Sequence, residues 1–230
     1  MSLGHGASIV TNGLVLCLDA ANTKSYPGSG TTWSDLSGFN NTGTLVNGAT
    51  YSSANNGSIA FDGTSGYINC GSAPVIGSSL TGLTVEVWLY STARTTKCIA
   101  ENGSAHNANT FYMFQENVVN FSFEVWGGTT YDALYSNFTY QLNTWYHLVG
   151  TWSSGNRVKM YSNGVESGAA PFGSVQTAVA NGNTNLMIGA RAGTGSWWSG
   201  NIPTARFYNR ALSAYEVRQN FNAARSRYGL

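Results

Sequence analysis

Asn-Gly and Asp-Gly dipeptides recur along this chain, at Asn12-Gly13, Asn47-Gly48, Asn56-Gly57, Asp62-Gly63, Asn102-Gly103, Asn163-Gly164 and Asn181-Gly182. These pairs supply the positive φ angles that tight hairpins require. The runs between them are short and rich in Val, Ile, Tyr, Phe, Trp and Thr, the residue types of strands. Three runs alternate. Val85, Val87 and Leu89 share one face, and Thr84, Glu86, Trp88 and Tyr90 the other; Val119, Phe121, Phe123 and Val125 oppose Asn120, Ser122 and Glu124. Val158 and Met160 share a side before the Asn163-Gly164 turn leads into residues 165–167. Period two at this density marks half-buried antiparallel strands, while segment 146–152, mixed on both faces, reads as a more central one. Only the C-terminus reads as a helix. Ser213 with Glu216 three residues on forms a capping box, flanked by a staple between Leu212 and Val217. The helix runs to about Arg227, with Gly229 as its stop, and Arg218, Arg225 and Arg227 suit its C-terminal half.

A length of 230 residues with 42% hydrophobic residues suffices for one large core. With no linker and no internal repeat, the chain divides into an N-terminal arm, 1–12, and one domain, 13–230, whose helix lies at about 213–227. Charged residues make up 9%, against roughly 25% in ordinary soluble domains. The polar surface must then come from Asn, Ser, Thr and Gly, as in extracellular or particle-bound proteins rather than cytosolic enzymes. A net charge of +1 without any Lys/Arg run excludes an electrostatic nucleic-acid footprint. No apolar stretch approaches the ~20 residues of a membrane span, so no membrane insertion is expected. Residues 1–10 lack the basic-then-apolar pattern of a secretory signal. Cys17, Cys70 and Cys98 are an odd, widely spaced set and read as small buried hydrophobes.

Four stretches together resemble the laminin-G-like jelly-roll family of the concanavalin A-like superfamily. They are Trp33-Ser34-Asp35-Leu36-Ser37-Gly38 with Ile59-Ala60-Phe61-Asp62-Gly63 and Tyr67-Ile68; Leu83-Thr84-Val85-Glu86-Val87-Trp88-Leu89; Trp145-Tyr146-His147-Leu148-Val149 with Tyr161-Ser162-Asn163-Gly164; and Leu186-Met187-Ile188-Gly189 with Gly200-Asn201-Ile202 and 206–213. The resemblance spans roughly residues 13–218. It implies an all-β, antiparallel two-sheet jelly-roll sandwich, with the short helix against one edge or end, and core positions for Trp33, Trp88, Trp145 and Trp152. It also implies a hydrogen-bonded structural imidazole for His147. Pro203 and Thr204 stand where the family commonly has an acidic pair. The closing residues 219–230 are similar to the tail of laminin-G-like domains in phage virion proteins.

Glycoside hydrolysis needs two carboxylates flanking the scissile bond. None of the ten acidic residues has another two positions away on a strand, and no G-x-S-x-G elbow is present. The chain is therefore expected to be non-catalytic. Calcium takes oxygen ligands from loops, and Asp19 and Asp35 are the weak candidates for a structural ion; no cofactor is expected otherwise. Asp62, like them, reads as an Asx-turn. Sugar recognition needs flat rings over C–H faces with amides or hydroxyls nearby. The candidates are Trp126 before Gly127-Gly128, Tyr131, Tyr135 and the adjacent Trp197 and Trp198, of which an extended backbone can present only one.

These readings converge on a non-catalytic structural and adhesion protein of a virion, contacting host cell-surface glycans, neighbouring subunits or copies of itself as a homo-oligomer, with the N-terminal arm available for docking. The alternatives are a lectin-like module with no virion role and a cryptic glycosidase.

Overall fold

The computed structural model describes residues 8–72, 80–103, 111–116, 119–179, 185–191 and 195–230. Its strands, numbered in chain order, form two antiparallel sheets. The first contains β1 (Leu14–Asp19), β4 (Thr50–Ser52), β5 (Ser58–Asp62), β7 (Gly82–Ser91), β12 (Trp145–Ser153), β13 (Lys159–Ser162), β14 (Val165–Glu166) and β17 (Ser199–Tyr208). Its order is β14-β13-β12-β7-β17-β5-β4, with β1 also paired to β17. The second contains β2 (Thr32–Trp33), β3 (Gly43–Val46), β6 (Tyr67–Asn69), β8 (Lys97–Asn102), β9 (Phe111–Glu116), β10 (Asn120–Trp126), β11 (Tyr131–Tyr135), β15 (Phe172–Gly173) and β16 (Leu186–Ile188). They run in the order β15-β11-β10-β9-β8-β16-β6-β3-β2. The expected two-sheet sandwich is the observed fold.

Alternation decides what lies between the sheets. Leu83, Val85, Val87 and Leu89 of β7 and Phe121, Phe123 and Val125 of β10 join one buried cluster with Leu148, Phe207, Met113 and Ile188. At Gly150 of β12 the opposite sheet leaves no room for a side chain: an added Cβ would lie 2.3 Å from the Phe123 ring. That is why glycine interrupts an otherwise bulky strand. Trp33, Trp88, Trp152 and Trp198 are fully buried. Trp145 departs from the expected core position: it is half-buried at the start of β12, against Tyr90 and Tyr228. The strand's first residue lies at the sandwich rim, where packing is one-sided.

The turn chemistry is largely as expected. Asn47, Asn56 and Asn163 take positive φ angles of 51°, 66° and 50°, and Asn163-Gly164 links β13 to β14. Asn102 instead closes β8 within the ladder, paired to Leu186 and Phe111, because strand pairing claims its backbone. Asn181-Gly182 lies outside the described residues. All three cysteines are buried and free, and burial pushes the Cys70 thiol up to about 12.

The helix α1 (Ala214–Ala224) begins with the expected capping box between Ser213 and Glu216. Leu212 and Val217 are buried in one cluster. A 3₁₀ turn, Arg225–Tyr228, ends at Gly229 with φ 72°. Its position differs from the expected edge or end: Phe221 and Tyr228 stack on Trp88, which places the helix on the outer face of the eight-stranded sheet. The reason is the row on the polar-looking face of β7. Trp88 and Glu86, with His147, Arg206 and Tyr208 beside them, need a cover, and α1 with the 3₁₀ turn supplies it. Residues 8–12 lie along this cover, where Val10 N–H donates to Asn220 Oδ1 at 2.8 Å and Ser8 and Asn12 carbonyls accept from Gln219 and Arg210.

Candidate binding face

Two groups of side chains carry chemistry, one on each outer face. Under the helix, Glu86 is wholly buried. Its Oε1 accepts from Arg206 Nη1 at 2.6 Å and lies 3.1 Å from His147 Nε2; its Oε2 accepts from Asn220 Nδ2 at 2.6 Å. The same Asn220 amide donates to Tyr208 Oη, which donates on to the Val10 carbonyl. Burial alone would raise the Glu86 carboxyl, but Arg206 and the bonds from His147 and Asn220 outweigh it and hold it at about 2. His147, Asn220, Glu86 and Arg206 are at most 4% exposed, so no substrate reaches this network. It clamps helix, sheet and N-terminal segment together. His147 is thus the bonded structural imidazole that the resemblance implies.

The outer face of the nine-stranded sheet is different. Register pairs Trp126 with Tyr131, Glu124 with Ala133, Ser122 with Tyr135, and Ala133 with Phe172. Alternation then sets Trp126, Tyr131, Tyr135 and Phe172 on one face, since Phe121, Phe123, Val125 and Leu134 point into the core. Trp126 stacks on Tyr131 with centroids 4.5 Å apart, and Phe172 joins Tyr131 edge-on at 6.1 Å and Tyr135 at 5.2 Å. The four rings are half-buried or exposed, with Phe172 at 37%. The indole N–H of Trp126 donates to Glu124 Oε2 at 3.1 Å, fixing ring and carboxylate together.

Trp197 lies farther across the sheet, half-buried against Tyr67 of β6 at 5.7 Å. Trp198 corrects the candidate set: it is fully buried in the inter-sheet core. Adjacent residues point opposite ways, and of this pair the outward one is Trp197. Phe172, Tyr67 and Glu124 were not among the candidates. Glu124 was legible as a polar residue facing away from Phe123, but Phe172 sits after Ala169-Ala170-Pro171 with no strand pattern to announce it.

The weak metal candidates use their oxygens locally. Asp35 accepts from the N–H groups of Cys17, Ser37 and Asn41 and the Ser37 hydroxyl. Asp19 accepts from Ala21 N–H and Arg227. Asp62 binds the N–H groups of Thr64, Ser65 and Gly66, an Asx-type turn.

Two packed antiparallel sheets with a ring-lined outer face define a jelly-roll sandwich domain. The chain belongs to the laminin G branch of the concanavalin A-like lectin/glucanases superfamily, whose family profile matches residues 62–218. Among curated proteins, the human adhesion G-protein coupled receptor D1 is 31% identical over 87 residues, 37% of this chain and 10% of the receptor. The chain thus spans about a tenth of that relative's length. Among solved structures, domain 4 of an extracellular arabinanase from Geobacillus stearothermophilus, in complex with arabinotriose, aligns with TM-score 0.62 at 18% identity, covering 90% of this chain and 97% of that one. The binding domain of Paraclostridial Mosquitocidal Protein 1 aligns at 0.70 and 15% identity, covering 93% and 52%. Trypanosoma rangeli sialidase in complex with sialic acid aligns at 0.67 and 17%, covering 99% and 35%. This fold therefore recurs as a whole domain and as part of longer chains, an enzyme among them.

Proposed function

We propose that this protein is a non-catalytic, lectin-like adhesion domain that binds glycans on the outer face of its nine-stranded sheet, as a component of a virion. One observation carries the reading: the Trp126–Tyr131 stack, extended by Phe172 and Tyr135, lies partly exposed on an outer sheet face beside a carboxylate fixed by the indole. Flat rings cover sugar C–H faces, and a carboxylate accepts from sugar hydroxyls. Support also comes from the arabinanase domain, whose solved complex contains arabinotriose. The proposed binding uses no cofactor. The virion placement draws on the similarity of residues 219–230 to the closing segment of laminin-G-like domains in phage virion proteins and on the 9% charge, which eases close packing of identical copies or neighbouring subunits. Searching for the protein in purified particles checks that placement separately.

A glycan array followed by titration tests the binding. The wild-type protein is expected to retain at least one glycan, and Trp126→Ala to weaken it by about tenfold or more, the equivalent of about 1.4 kcal/mol. A flat array, or binding untouched by Trp126→Ala in a folded variant, contradicts the reading. Hydrolysis of a bound glycan would contradict its non-catalytic part.

A further inference from the structure

The row of rings runs out to the edge of its sheet, and a cavity opens just past that edge. Ala133 pairs with Phe172, and Ala169 N–H donates to the Tyr135 carbonyl at 2.7 Å, so residues 169–173 form the last strip of backbone on this side. Phe172 stands among the rings, and Pro171 before it lines the cavity. The cavity has a volume of about 220 Å³ and two kinds of wall. Its floor is apolar, made by the buried side chains of Leu134, Val158 and Met160. Its rim is exposed and charged, made by Arg157, Lys159 and Glu166. Those charges are matched: Arg157 Nη1 donates to Asp132 Oδ1 at 2.7 Å, and Lys159 Nζ to Glu166 Oε2 at 3.2 Å. The rim therefore has no net charge to draw an ion, but it keeps hydrogen-bonding capacity. An ammonium carries three donors and a carboxylate two acceptor oxygens. Lys159 and Glu166 are 54% and 53% exposed, so each has room for a second bond.

We infer that this cavity receives the acetamido group of an N-acetylated sugar in the glycan held on the rings. The inference rests on the glycan-binding reading above and adds its substrate class. Pockets for whole ligands run to about 300–1,000 Å³, so a cavity this small suits a substituent rather than a chain. An acetamido group joins a methyl to one acceptor and one donor. Its methyl meets the apolar floor, its carbonyl accepts from the Lys159 ammonium, and its N–H donates to the Glu166 carboxylate. A hydroxyl in the same place would turn a polar group towards a floor that cannot bond it. Only the edge strand separates Phe172 from the cavity, a width of about 5 Å at ordinary strand spacing, so one glycan reaches both.

The test is an array of neutral glycans in pairs that differ only in a 2-acetamido or 2-hydroxyl group, such as chitotriose beside cellotriose. The wild-type protein is expected to bind the acetylated member of its best pair about tenfold more tightly, the scale of one hydrogen bond to a charged group. Ala169→Phe, at an exposed wall position, fills the cavity and is expected to abolish that preference, so that both members bind alike. Glu166→Ala, at an exposed edge site, removes the acceptor and is expected to narrow it. Melts of both variants establish that they are folded. Pairs bound equally by the wild-type protein, or a preference unchanged by both variants, overturn the inference and leave glycan binding standing. An array without any bound glycan overturns the binding reading and this inference with it.

Discussion

Glu86→Ala is expected to lower folding stability by about 3–5 kcal/mol, because it leaves the Arg206 guanidinium buried without its counter-charge. Arg206 and Glu86 are 4% and 1% exposed, so bulk solvent does not reach the guanidinium to replace the carboxylate's charge. The loss spreads beyond the pair. Asn220 gives up its 2.6 Å bond to Oε2, and Asn220 also holds Val10 and Tyr208, so the helix and residues 8–12 loosen together. Chemical denaturation measures the change, and hydrogen exchange locates it: protection should fall first in α1. A loss below about 1 kcal/mol would show that the helix is held by its rings alone.

The same carboxylate sets an acid limit. Its folded-state pKa, about 2, lies below the ordinary 4.5. Between those values the unfolded chain binds more protons than the folded one, so stability rises with pH across this window and is level above it. Acidification from about pH 4.5 towards 2 removes the contribution, and Glu86→Gln should flatten that slope.

Trp198→Ala is expected to cost about 3–5 kcal/mol, the usual range for emptying a large aromatic site in a core. Its side chain is fully buried and its indole N–H has no hydrogen-bond partner among the described residues. Trp198→Phe, which keeps most of the apolar surface and removes that N–H, should therefore cost much less than Ala. Thermal or denaturant melts of the two variants beside Trp126→Ala separate the roles: Trp198 governs stability, Trp126 governs binding. A mild Trp198→Ala with lost binding would reverse that assignment.

The strands of this fold were legible because one face of each is apolar and the turns carry their own chemistry. What alternation could not tell was which polar-looking face meets water. Thr84, Glu86 and Trp88 read as an outward face, yet Glu86 and Trp88 lie under Phe221, Tyr228 and Asn220, some 130 residues away in sequence. Burial there is a tertiary fact, created by where the helix docks. The same limit governs the site. Trp126, Tyr131 and Tyr135 could be found from ring type and nearby glycines, and strand pairing brings them together. Phe172 comes from a two-residue edge strand too short for any periodicity. Trp197 and Trp198 could be read only as a pair with one member outward, since the choice between them depends on the register of the residues around Gly189 and Ser196.

The central claim is that ligands meet this protein on the outer face of its nine-stranded sheet. Nuclear magnetic resonance of the seven tryptophan indole N–H groups during titration with a glycan recovered from the array tests it most directly. The account predicts that the Trp126 signal shifts while those of Trp33, Trp88, Trp152 and Trp198, all fully buried, stay in place. A saturable shift confined to Trp88 and Trp145, with Trp126 unmoved, would place the ligand on the helix-covered side and contradict the account.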